Sequence, residues 1–193
     1  MLQLDPYNVI LASNSPRRKE LLSGLGIQYT VQTLPNIDES YPKDLSGADI
    51  PQYIAGQKAS AYSEHMAEDD LIITADTVVI LGDEVLGKPK DANDAYRMLR
   101  ALSGQTHQVI TGVCITTKKK KVTFSAQTDV TFVELTDDEI TWYVDTYKPM
   151  DKAGSYGVQE WIGYIAVSSM NGSFYNVMGL PVQLLYHELK KFV

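Results

Sequence analysis

At 193 residues, 44% hydrophobic and 21% charged, the chain fits one ordinary globular domain with a substantial core. Its net charge of −7 argues against general binding to nucleic acid or to an anionic membrane, both of which need a basic surface; any phosphate ligand must be small and held in a local positive pocket. The single cysteine, Cys114, excludes an internal disulfide and a multi-cysteine metal site, and no apolar stretch is long enough to span a bilayer.

The first residues, Met-Leu-Gln-Leu-Asp-Pro, lack a basic region followed by an apolar run. No signal peptide is expected, and the cytoplasm is the expected location. Val9 to Ala12 reads as a short buried strand. A polar turn follows, and a helix opens with Ser15 as N-cap and Pro16 at the first helical position. Leu21, Leu22 and Leu25 mark its apolar face, and Gly24 or Gly26 stops it. Arg17 and Arg18 thus fall in the first turn, where the helix dipole is unfavourable for cations. Either they are solvated, or an anion binds there and meets backbone donors, dipole and guanidinium groups together.

Ile27 to Leu34 alternates like a strand, and Pro35 to Pro42 is a loop carrying Asp38 and Glu39. A helix is expected from Pro51 to about Met66, a strand from Leu71 to Leu81 and a turn at Gly82-Asp83-Glu84. Val85-Leu86 resumes briefly before Gly87-Lys88-Pro89. Asp91 caps a helix over Ala92–Leu102 that ends at Ser103-Gly104. Val109–Thr117 and Val122–Val133 read as strands joined by a hairpin of four lysines, expected as a solvated tip. Thr136 and Glu139 form a capping box for a short helix. Asp151 to Gln159 is a glycine-containing loop, Ile162–Met170 alternates as a strand, Asn171-Gly172-Ser173 turns, and a last helix covers Val182–Phe192. Helices alternate with strands and hairpins, which predicts a single-domain, three-layer α/β fold around a mixed sheet. The P-loop and dinucleotide glycine fingerprints are missing.

Asp76 is the most informative residue. A carboxylate within an apolar strand is costly unless paired or metal-bound. It marks either a strand end where it caps a turn, or a metal-binding or general-base group. Lys58, Lys88 and Lys152 read individually as surface lysines, and Glu39 as an exposed loop acid. Gln159 is either a loop hydrogen bonder or a base reader, since its amide both donates and accepts. His65, His107 and His187 lack ligand spacing and read as structural. Together, the carboxylate and the cations suit metal-assisted attack of water on a phosphoanhydride.

Several segments resemble the Maf family of nucleotide pyrophosphatases: Ser13-Asn14-Ser15-Pro16-Arg17-Arg18, Ala75-Asp76-Thr77-Val78-Val79, Gly87-Lys88-Pro89, Leu102–His107, Asp151–Gln159, Asn171-Gly172-Ser173 and Gly179-Leu180-Pro181. The resemblance implies a Maf/inosine-triphosphatase-like α/β fold with a cleft between two lobes. It implies hydrolysis of a nucleoside triphosphate to monophosphate and pyrophosphate with a divalent cation, Mg²⁺ or Mn²⁺. Asp76 would then accept the proton of water. Ser13, Arg17, Arg18, Lys58 and Lys88 would hold phosphates, and Glu39 with Asp76 would assist the metal or water. Arg17, Thr77 and Gln159 match the dTTP/UTP branch rather than the 7-methyl-GTP branch, where an aromatic and a glutamate replace the first and last. The amide of Gln159 suits the carbonyl and N–H of uracil or thymine. The chain departs from the family at Glu160-Trp161, where a small residue is common, so an altered pocket rim is expected. A homodimer is a family expectation. The alternatives are the same chemistry on 7-methyl-GTP or another modified nucleotide, and a non-catalytic regulator of septum formation.

Overall fold

In the computed structural model, which describes residues 2–193, the elements follow the capping signals closely. The order is β1 (Asn8–Leu11), α1 (Pro16–Gly24), β2 (Thr30–Val31), α2 (Asp49–Tyr62), β3 (Asp70–Leu81), β4 (Glu84–Leu86), α3 (Ala92–Leu102), β5 (Thr106–Thr116), β6 (Lys121–Phe132), α4 (Asp137–Tyr147), α5 (Trp161–Ala166), β7 (Val167–Asn171), α6 (Phe174–Met178) and α7 (Val182–Leu189). Single 3-10 turns lie at Ser63–His65, Ala153–Ser155 and Lys190–Phe192. The strands form a mixed seven-stranded sheet ordered β2-β1-β3-β5-β6-β7, with β4 on β3. β1 is parallel to β2 and β3, whereas β3–β4 and β6–β7 are antiparallel. The α/β class expected from the alternation of elements is the class observed.

The chain folds as two compact units: Met1–Asp76 with Thr111–Ala126 and Gly179–Val193, and Thr77–Ile110 with Gln127–Met178. In the first unit, Leu11, Leu22, Leu71 and Ile73 are fully buried. Each such side chain contributes about 1.5–3 kcal/mol relative to exposure. Ser15 caps α1 through the Arg18 amide, Pro16 occupies the first turn, and Gly26 takes a left-handed φ of 69° just past the helix. α2 lies unusually close to β5. A Cβ on Gly112 would stand 2.3 Å from the Pro51 carbonyl carbon and 2.4 Å from the Gln52 nitrogen. Ala55, Ala59 and Cys114 pack together, so the lone thiol is a core side chain. Three lysines of the β5–β6 hairpin, although exposed, are anchored rather than simply solvated. Lys118 pairs with Glu68, Lys120 donates to the Lys191 carbonyl, and Lys121 donates to the Gly56 carbonyl and the Ser60 hydroxyl.

In the second unit, Asp91 caps α3 and the Thr136–Glu139 capping box opens α4. His107 is 1% exposed. Its Nε2 lies 2.7 Å from the Tyr156 hydroxyl, and the Phe132 ring meets it edge-on at 4.9 Å. Burial pushes the imidazole down from 6.5 to about 4. The unfolded chain therefore holds the extra proton between these values. The stabilising contribution of neutral His107 is complete above about 6.5 and is lost as pH falls toward about 4, a change of about 3 kcal/mol. Urea unfolding at pH 7.5 and pH 4.5 is expected to show this loss, and His107→Gln to shrink it. An unchanged pH dependence in that variant would contradict the assignment.

Two strand expectations are corrected. Ile27–Leu34 supplies only Thr30 and Val31 to the sheet. β2 is an edge strand paired to β1 alone, and both its residues are exposed, so the alternation has no second face to bury. Ile162–Met170 is not one strand. Trp161–Ala166 forms α5, and only Val167–Asn171 pairs with β6. Gly163 donates to the Glu160 carbonyl at 2.9 Å, and a Cβ there would stand 1.7 Å from the Val158 carbonyl oxygen. Apolar alternation at 162–170 therefore gives way to a turn that only glycine permits. The short helix α6 is not among the expected elements, although Ser173 caps it, its hydroxyl accepting from the Asn176 amide at 3.4 Å.

Candidate active site

β1 delivers the chain into the turn that starts α1. Ala12 donates to the Ile73 carbonyl at 2.9 Å, tying the turn to β3. Ser13 is buried, and its hydroxyl accepts from the Ser15 amide at 3.2 Å. Ser15 in turn accepts from the Arg18 amide. Arg17 and Arg18 are half-buried in the first helical turn, as the capping pattern predicts. Two nitrogens of Arg18 reach the backbone: Nε donates to the Gly179 carbonyl at 2.8 Å and Nη1 to the Ala75 carbonyl at 2.9 Å. Burial lowers the pKa of its guanidinium; Asp76, and more weakly Glu39, oppose that, while Arg17 adds to it. Arg18 thus fixes the peptide just before Asp76.

β3 runs straight through Asp76, which excludes the reading of this residue as a strand end. Asp76 is held by Lys58 from α2, with Nζ 2.8 Å from Oδ1. The same ammonium lies 2.9 Å from Glu39 Oε1, which the Pro35–Pro42 loop supplies. The side chains of Lys58 and Asp76 are 13% and 14% exposed, and that of Glu39 46%. One cation between two acids offsets their repulsion and fixes the lysine side chain. Lys58, read alone as a surface lysine, is the centre of this cluster.

Among the described residues, no group of three or more His, Cys, Asp or Glu could hold a metal. The available donors are the carboxylates of Asp76 and Glu39, brought to one point by Lys58. That set does not make a zinc cage. It fits Mg²⁺ or Mn²⁺, which take one or two carboxylates and complete their shell with water and substrate phosphates.

Thr77 follows Asp76 on β3, and Lys88 and Gln159 belong to the second unit. Lys88 is exposed after β4. Gly154 donates to the Gly87 carbonyl at 3.1 Å, so the Asp151–Gln159 loop is tied to the residue preceding Lys88. Gly154 has a φ of 66°, and a Cβ there would crowd Val79 at 2.9 Å. Gln159 is half-buried, and its Oε1 is buried with no hydrogen-bond partner among the described residues. An unmet acceptor of this kind is costly in a resting protein and suits a ligand donor.

Lys152 is not a surface lysine: it is 7% exposed and pairs with Asp151 and Glu160. Sequence reasoning missed this group because Glu160 lies eight positions from Lys152 and is held in turn by Tyr143 of α4. A family model described as Maf-like protein matches residues 8–192. The chain belongs to the Maf-like family. Among its Maf-like relatives, a dTTP/UTP pyrophosphatase of Bacteroides thetaiotaomicron is 62% identical over 97% of each chain. Another protein of that name, from Bacteroides fragilis, is 58% identical over 99% of each. Among solved structures, the Staphylococcus aureus Ham1 protein aligns with a TM-score of 0.54 at 16% identity, covering 95% of this chain and 98% of that one. This last likeness is one of fold. No helix among the described residues is long and apolar enough to cross a membrane.

Proposed function

We propose that this Maf-like protein hydrolyses dTTP and UTP to the monophosphate and pyrophosphate, acting on the cytoplasmic nucleotide pool. The observation that carries the reading is Asp76 in the interior of β3, held with Glu39 on one lysine ammonium. The names of the relatives from Bacteroides thetaiotaomicron and Bacteroides fragilis support the substrate class.

Asp76 is the base. It accepts a proton from water as the water oxygen bonds to phosphorus and the α–β phosphoanhydride breaks, releasing pyrophosphate. A divalent cation, Mg²⁺ or Mn²⁺, held by Asp76 and Glu39, supplies neutralisation of phosphate charge when bound. Lys58 orients Asp76. Ser13, Arg17, Arg18 and Lys88 bind the phosphate chain, helped by the amide groups and dipole that open α1. Arg17, Thr77 and Gln159 select the base. The Gln159 amide accepts from the ring N–H of uracil or thymine and donates to a ring carbonyl.

Pyrophosphate release from UTP, dTTP, CTP, GTP, ITP and 7-methyl-GTP, with Mg²⁺ or Mn²⁺, tests the reading. Turnover concentrated on UTP and dTTP is expected. Turnover on another nucleotide alone would keep the chemistry and overturn the base assignment. A folded protein that is silent across the panel would overturn the enzymatic reading and favour a regulatory role.

A further inference from the structure

Gln159 sits in a turn whose two ends are held by one buried polar group. Glu160 donates its amide to the Gly157 carbonyl at 2.9 Å, closing the turn around Val158 and Gln159. The Tyr143 hydroxyl, from α4, donates to Glu160 Oε2 and accepts from the Gly157 amide at 3.0 Å. Lys152 Nζ lies 3.2 Å from Glu160 Oε1 and 2.9 Å from Asp151 Oδ1. The side chains of Lys152 and Glu160 are only 9% and 19% exposed. A Cβ on Gly157 would stand 2.8 Å from the Glu160 carboxyl carbon, so the acid fills the space a side chain there would need. Burial, and then Glu160, push the Tyr143 hydroxyl well up, which keeps it a donor.

These contacts have a chemical consequence for base reading. Two acceptor-bearing side chains are adjacent, an amide at Gln159 and a carboxylate at Glu160. A carboxylate attracts donor-rich purine edges, whereas the amide matches a base that offers one N–H and one carbonyl. Both Glu160 oxygens are engaged, by Tyr143 and Lys152, while the Gln159 oxygen is buried without a hydrogen-bond partner among the described residues. We propose that Glu160, Tyr143 and Lys152 are positioning residues for nucleobase selection: they hold the turn so that the Gln159 amide reads the base, and they sequester the neighbouring carboxylate from it. The inference rests on the substrate reading above and adds residues outside its phosphate and metal chemistry. It also gives the Glu160 departure from the family pattern a role: this acid faces Tyr143 and Lys152 within its own unit.

The test compares Tyr143→Phe and Glu160→Gln with the unaltered protein, measuring kcat and KM on UTP and on GTP. Tyr143→Phe keeps the ring and removes only the hydroxyl. A pre-organisation role predicts that KM for UTP rises roughly tenfold while kcat falls less than about threefold, with the preference for UTP over GTP narrowed by a similar factor. Glu160→Gln still accepts from Tyr143 but loses the charge that holds Lys152, so a smaller shift in the same direction is expected. A merely structural group would lower the active fraction, cutting kcat on both nucleotides equally and leaving the preference untouched. That result, or unchanged constants in both folded variants, overturns the inference. Should Tyr143→Phe fail to fold, the preference measured in Glu160→Gln decides. An unaltered protein that turns over neither UTP nor dTTP overturns the substrate reading itself, an outcome distinct from an active protein whose variants keep its preference.

Discussion

Asp76→Asn is expected to lower kcat for pyrophosphate release from UTP by roughly a thousandfold or more, with the fold retained. The substitution is isosteric, so β3 keeps its register and Lys58 keeps an oxygen to bond. What is lost is the basic carboxylate: an amide does not take a proton from water near neutral pH. It is also a poor ligand for a hard divalent cation. Lys58 keeps its 2.9 Å contact with Glu39, so the half-buried ammonium still has an anionic partner. Thermal unfolding is therefore expected within a few degrees of the unaltered protein. Glu39→Gln provides the contrast. Its side chain is 46% exposed against 14% for Asp76, and it comes from a loop rather than a strand, so a smaller loss is expected. Near-normal turnover in Asp76→Asn would remove Asp76 as the base. A loss equal to that of Glu39→Gln would point to a shared electrostatic role instead.

Gly112→Ala is expected to be the most damaging single methyl addition in the first unit, costing at least about 3 kcal/mol of stability. The atoms it would strike are backbone atoms of α2, at 2.3 and 2.4 Å, and no rotamer change can move them aside. The helix must retreat from β5 or the chain must unfold. α2 also carries Lys58, so a folded remnant should lose activity even where substrate chemistry is untouched. Urea unfolding measures the cost, with Gly24→Ala as the control. Nothing lies within 4 Å of a Cβ at Gly24, in the last turn of α1, and its change is expected to stay within about 1 kcal/mol. Equal stabilities for the two variants would show that α2 can shift freely on β5.

The features legible in the sequence were those set by short-range physics. Ser15-Pro16 at α1, Asp91 at α3 and the Thr136–Glu139 box at α4 each satisfy a helix start with residues within a few positions, and each cap stands where the sequence puts it. The odd carboxylate in an apolar strand was equally visible at Asp76, because burying it raises a question that local sequence alone cannot answer. The misread segments share another trait. Ile162–Met170 has the period of a strand, but Gly163 at its start meets the Val158 carbonyl, and that close approach selects a helix. Ile27–Leu34 alternates correctly and still pairs over two residues only, because β2 lies at the sheet edge.

By itself, then, the chain determined its element order as far as α4, the caps of α1, α3 and α4, its α/β class and the identity of Asp76 as an anomaly, since propensity, periodicity and capping act over a few residues. Tertiary structure alone decided which ordinary-looking residues became partners. Lys58 stands 18 positions from Asp76 and still bridges it to Glu39. Lys152, one of many lysines by sequence, is buried because Glu160 neutralises it and Tyr143 holds Glu160. A buried charge is tolerated only where a partner of opposite sign reaches it, and that partner is chosen by the path of the backbone rather than by distance along the chain.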